Sequence, residues 1–181
     1  MKPLLTLCFS LFLTTLCSAQ QPEMPTPSKE HEFLAQFAGD WDVTASTVPA
    51  PGEQPIVGKG TESAKMLGGF WLVSEAESDM MGMAVSSRMT FGYDPKRSKY
   101  VGTFFCSMDS HLWTYEGTMD ETGKKLTLNT RGHSPTDFNT QVNYREVLEL
   151  VDKDHKTFTS YMEGENGQWV KFMTMDYRRR K

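Results

Sequence analysis

Cysteine is scarce in this chain. Of three in 181 residues, Cys8 and Cys17 fall in an apolar N-terminal run, and only Cys106 lies beyond it. A single cysteine forms no internal disulfide, so no disulfide framework holds the fold. Cys106 reads as a small core residue, with a reactive thiol as the alternative. An excess of positive charge is also missing. The formal net charge is -4, which removes the electrostatic footprint expected for nucleic acid or anionic lipid. Catalytic signatures are absent as well: there is no G-x-S-x-G elbow, H-E-x-x-H, P-loop, G-x-G-x-x-G or C-x-x-C. This lowers the case for catalysis without removing it, because triads are spatial rather than contiguous.

What is present is enough apolar material for a packed core, at 38% hydrophobic and 12% aromatic residues, in a length that suits one domain. The chain opens with Lys2 and the run "LLTLCFSLFLTTL", followed by "CSAQ". The run has the length of a signal-peptide core and is short of a membrane span, and small residues flank a cleavage point after Ala19. Residues 1–19 are therefore expected to be a signal peptide. Acylation of Cys17 is the rival, disfavoured by the bulk of Leu16. Export without disulfides points to a bacterial periplasm or the medium. No transmembrane segment is expected after cleavage.

Residues 20–28, "QQPEMPTPS", read as a flexible leader, and residues 29–181 as the domain. One helix is expected in "TPSKEHEFLAQFAG". Thr26 can cap it, Pro27 suits its first position, Glu30 and Glu32 favour the first turn, and Gly39 suits the exit. Beyond it the sequence alternates with period two and is cut by turn signals about every ten residues. About ten strands joined by short loops make an antiparallel meander, and closure into an up-and-down β-barrel removes the exposed edges. A two-layer sandwich, the main competitor, needs longer crossings.

In "FAGDWDV", Gly39 allows close backbone approach and Trp41, pointing inward, is placed to plug the barrel base. This G-x-W after one helix resembles the lipocalin and fatty-acid-binding barrel signature. The terminal "YRRRK" resembles the basic residue that packs over the tryptophan in those families, with Arg178 as the best match. The pieces "EHEFLAQFAGDW", "MLGGFWLVSE", "FGYDPKRSKYVGTF", "YEGTMDETGKKLTL" and "YRRRK" together resemble the bacterial family of domain of unknown function 1579 (DUF1579). That resemblance implies a lipocalin-like or calycin-like barrel and no particular reaction. Nitrobindin-type haem barrels share the opening helix and G-x-W, but no residue here matches their late histidine.

Four histidines could carry chemistry. His111 and His133 could meet at one barrel end and, with Cys106 or Asp109, form a metal or haem site, against a background of scattered surface histidines. His31 lies on the helix, and His155, in "DKDHK", reads as solvated. Methionine is frequent, at 12. It either fills an irregular core, lines an adaptable apolar cavity or, in "MMGM" (Met80, Met81, Met83), binds cuprous copper. Strand parity puts His111, Trp113, Tyr115 and Met119 on one face, and Trp169, Lys171, Met173, Met175 and Tyr177 on another, both facing inward. Arg88 shares a face with Ser86 and Thr90. It lies either outside on solvent or inside as an anchor for an anionic group, an ambiguity shared by Arg131 and Arg145.

Three functions compete. The first is a carrier that holds a small apolar or amphipathic ligand or lipid against Trp113, Tyr115, Met119, Met173 and Met175, with Arg88 on its head group. The second is an enzyme using His111, Asp109 and Tyr115 for acid–base work. The third is a structural envelope protein with a filled barrel. A pocket volume separates the first from the third.

Overall fold

The computed structural model describes residues 24–48, 53–80, 82–135, 137, 139–164 and 166–181. The expected signal segment, the cleavage point, Cys8, Cys17 and Met81 lie outside these residues. Among the described residues one helix, α1 (Lys29–Ala35), precedes ten strands. They are β1 (Gly39–Thr47), β2 (Ile56–Leu67), β3 (Trp71–Met80), β4 (Met83–Asp94), β5 (Lys99–Cys106), β6 (Trp113–Met119), β7 (Lys125–His133), β8 (Gln141–Asp152), β9 (His155–Glu163) and β10 (Trp169–Arg179). Each strand pairs antiparallel with its neighbour in sequence, and β1 pairs with β10, so the sheet closes into a barrel. Closure leaves no strand edge unpaired, the outcome expected for so long a meander.

The helix begins at Ser28 rather than at Thr26. The Ser28 backbone N–H donates to Nδ1 of His31 at 3.0 Å, and Pro27 sits before the cap, packed so closely on Gly69 that a Cβ there would meet its ring. His31 is buried rather than on the surface, with its ring edge-on to Phe70 and Tyr93. Phe33, Leu34 and Phe37 turn the other apolar positions into the barrel end. They join Leu72, Phe91, Tyr100, Leu126, Leu128, Leu148 and Phe158 in a dense core that fills the half of the barrel beneath the helix.

Trp41 is the centre of this plug. It is 0% exposed, and its indole N–H donates to the Phe37 carbonyl at 3.0 Å. The Arg179 guanidinium stacks 4.1 Å from the ring centroid, and the Lys156 ammonium lies 4.4 Å from it. The stacking arginine is thus Arg179, where the sequence pointed to Arg178. Arg179 pairs in register with Trp41, whereas Arg178 projects to the other face, bonds Asp176 and is 62% exposed. Arg179 also donates to the Lys153 carbonyl in the β8–β9 turn and to the carbonyls of Gln36 and Ala38, acceptors just past the helix that no intrahelical donor reaches. Gly39 is required by the same contact. Its φ is +127° and a Cβ would run into the Arg179 guanidinium. Arg179→Ala is expected to cost about 2–3 kcal/mol in a urea melt, because it strands these acceptors, while Arg178→Ala stays within about 0.5 kcal/mol. Equal losses in the two variants would overturn the assignment.

A bulge in β10 splits one predicted row. Lys171 pairs with Tyr161 and Met173 with Ser160, so two steps on β10 match one on β9. Met173, Met175 and Tyr177 remain against the interior. Trp169, on the far side of the bulge, instead stacks under Arg145 at 4.1 Å, and Lys171 is exposed.

Candidate functional site

The half of the barrel away from the helix is hollow. A cavity of about 360 Å³ opens beside the β5–β6 and β7–β8 connections, where Met108, Asp109 and Pro135 line it. Its wall is mostly apolar: Met89, Phe104, Trp113, Tyr115, Phe158, Met173 and Met175 face it, and Ala45, Gly58, Gly60 and Ala76 leave the space open. That volume lies within the range of small-molecule sites. Trp113 is seated by Gly132, where a Cβ would collide with the indole. A glycine inside a strand is the sequence signal for such close approach.

Four of the residues expected to face a ligand do line the cavity: Trp113, Tyr115, Met173 and Met175. Met119 does not. It sits at the far end of β6, opposite Leu126, and packs on the filled core. Arg88 does not either. It points outward, 3.4 Å from Glu75 and 4.0 Å from Glu77 on β3, because it has the opposite parity to Met89. Cys106 lines the upper wall, partly exposed and free, not buried in the core. Met83 is half exposed, and the side chains of Met80 and Met81 fall outside the described residues.

At the mouth, His111 and His133 do meet, with ring centroids 5.0 Å apart. The Nε2 atom of each is committed elsewhere. Nε2 of His133 lies 2.6 Å from Oδ2 of Asp109, and Nε2 of His111 lies 3.2 Å from the Arg131 carbonyl. Asp109 also accepts from the His111 backbone N–H at 2.9 Å. Although partial burial acts to raise it, the Asp109 carboxyl ends below its ordinary range through these hydrogen bonds and the nearby histidines. Among the described residues no group of three or more His, Cys, Asp or Glu is arranged to hold a metal ion. The pair is a rigid polar element on the cavity rim. His155 is not solvated as expected; its ring is mostly buried, 2.7 Å from Asp176.

Three buried ionisable side chains, at two places, carry no expectation from the sequence. Below the cavity floor, Nζ of Lys156 lies 2.5 Å from Oε1 of Glu62 and 3.4 Å from the Phe37 carbonyl. Burial pushes the Lys156 ammonium down, and the Glu62 carboxylate opposes that. In the cavity wall, Glu146 is 5% exposed. Ser160 Oγ donates to its Oε1 at 3.0 Å, whereas Oε2 has no hydrogen-bond partner. Burial pushes this carboxyl up to about 8, Ser160 opposing. Tyr144, beside it on β8, donates to the His133 carbonyl at 2.7 Å, and burial raises its phenol to about 12.

A closed antiparallel barrel, plugged by a helix and a G-x-W tryptophan at one end and hollow at the other, is a lipocalin-like architecture. The chain belongs to the family described as a protein of unknown function, DUF1579, which it matches over residues 26–179. No curated protein matches it. Among solved structures it resembles Rv2717c from M. tuberculosis, at 13% identity and a TM-score of 0.59, over 86% of this chain and 100% of the other. It also resembles an S-type phycobiliprotein lyase, CPES, from Guillardia theta, at 14% identity and a TM-score of 0.56, over 87% and 99% of the two chains. At such identities the likeness is one of fold. Among the described residues no helix is long and apolar enough to cross a membrane.

Proposed function

We propose that this protein binds a small, largely apolar ligand inside its barrel. The observation that carries the reading is the cavity itself: about 360 Å³, walled by aromatic and methionine side chains. A structural barrel has no need of that space. Burying an apolar surface there yields about 25 cal/mol per Å² removed from water, and methionine walls adapt to varied shapes. The plug of helix and Trp41 makes the base rigid, so a ligand enters by the mouth past the Asp109–His133 pair. The signal-like segment at residues 1–19 supports placing this binding outside the cytoplasm.

The test is a titration with the apolar fluorescent probe N-phenyl-1-naphthylamine, together with native mass spectrometry of protein purified from expressing cells. Saturable emission gain is expected in the wild type. Ala76→Trp, which fills the cavity from β3, is expected to weaken the probe at least tenfold while the melting temperature stays level or rises. Unchanged affinity in that variant, or no binding in the wild type, would overturn the reading.

A further inference from the structure

We propose that Glu146 is the polar anchor of the cavity: its carboxyl, fixed at Oε1 by Ser160, presents Oε2 to an acceptor oxygen, so the barrel selects ligands that carry a carbonyl group on an apolar frame. The proposal rests on the cavity reading above and adds the class of ligand to it.

Two features carry the argument. The first is geometric. Glu146 faces the cavity from the middle of β8, and one of its oxygens has no partner. Leaving such a group buried and unsatisfied is destabilising, and orphans of this kind in a folded protein call for a functional reason. The second is the company it keeps. Its neighbours across the sheet are Leu128 on β7 and Ser160 on β9, and among the described residues no cation lies within ion-pairing distance of it. Lys156, the buried lysine beneath the cavity among the described residues, is already bonded to Glu62. A carboxyl without a countercharge in an apolar wall is held neutral. A neutral carboxyl has one O–H to give. With Oε1 taken by Ser160, that O–H sits on Oε2 and points to a ligand acceptor. A ligand ammonium is the less favoured occupant, because a buried ion pair carries two desolvation penalties in this setting.

The other titratable groups around the cavity do not compete for the role near neutral pH: Lys59 on β2 and Glu77 on β3 border it but are exposed on the outward parity, Glu77 beside Arg88. Tyr115 on β6 and Tyr177 on β10 are pushed well above their ordinary range by burial, and Tyr144 on β8 to about 12. Glu62 and Lys156 bind each other. Cys106 on β5 and the Asp109–His133 pair lie toward the mouth and are left intact in the variants below.

The experiment compares three probes of nearly equal shape by calorimetry: 2-acetylnaphthalene, 2-ethylnaphthalene and 1-(2-naphthyl)ethylamine. At pH 6.5 the ketone is expected to bind about tenfold tighter than the hydrocarbon, the worth of one buried hydrogen bond. Above pH 9 the carboxyl ionises and the preference disappears, while the hydrocarbon's affinity holds. Glu146→Met removes the preference at every pH. Glu146→Gln, whose amide still donates, keeps it at pH 9, which separates Glu146 from the Asp109–His133 pair. Ketone and hydrocarbon binding equally would overturn the anchor and leave the carrier intact. Preference for the amine, growing with pH, would overturn it in favour of an ion pair. If none of the three binds, the carrier reading fails and the anchor with it.

Stability gives a readout free of any probe. The folded carboxyl holds its proton up to about pH 8, and the unfolded one loses it near 4.5. Between those limits the native state binds more protons, so wild-type stability falls as pH rises and then levels off. Glu146→Gln is expected to abolish that slope. A wild-type melting temperature with the same pH profile as the variant would overturn the neutral carboxyl.

Discussion

Trp41→Ala is expected to cost about 3–5 kcal/mol, the range for truncating a fully buried large aromatic. That is a large part of the 5–15 kcal/mol that holds a typical domain together. Three losses coincide at this site. The cavity left behind opens between Phe37 and Tyr177, which flank the same ammonium. The Phe37 carbonyl loses its indole donor. Two cations, Arg179 and Lys156, lose the ring that both lie against. Trp41→Phe keeps a ring and most of the volume, so about half of the loss is expected there. Urea unfolding followed by circular dichroism measures both. A loss under about 1 kcal/mol for the alanine variant would show that the helix closes the barrel without the tryptophan.

Lys156→Met is expected to destabilise by about 3–5 kcal/mol, because it leaves the Glu62 carboxylate buried without its partner. Lys156 is 3% and Glu62 8% exposed, so water cannot take over the role. The companion variant Glu62→Leu, which strands the ammonium, is expected to lose a similar amount. The double variant is expected to recover most of it, since two apolar side chains of similar volume need no countercharge. Additive losses in the double-mutant cycle would show that the two groups do not depend on each other.

The course of the chain was legible because period-two alternation and turn residues are local signals. The strand number follows from the turn residues, the closure from the need to cover edges, and the inward Trp41 and the wall formed by Trp113, Tyr115, Met173 and Met175 from parity. What parity cannot supply is register. Arg178 and Arg179 differ by one residue, and only the pairing of β10 with β1 decides which one lies over Trp41. The bulge at Phe172 is equally silent in sequence, yet it sends Trp169 to the outside. Met119 has the right parity and the wrong height: the core beneath the helix fills the barrel at its level. The buried charges were within reach. In β8 the inward row reads Val142, Tyr144, Glu146, Leu148, and in β9 it reads Lys156, Phe158, Ser160. One ionisable residue interrupting an apolar row is the mark of a group that has been given a reason to be inside. The capping role of His31 had no such signal, since it depends on a ring nitrogen turning back to Ser28.

The seam between β1 and β10 has a consequence for how the molecule is made. Trp41 meets Arg179 across it, so the first strand to leave the ribosome waits for the last before its outer edge is covered. During translation β1 carries an open row of amides and carbonyls, a template for pairing with a neighbouring nascent chain. That edge stays open until residue 179 is in place, so the last strand, and not the early hairpins, ends the exposure.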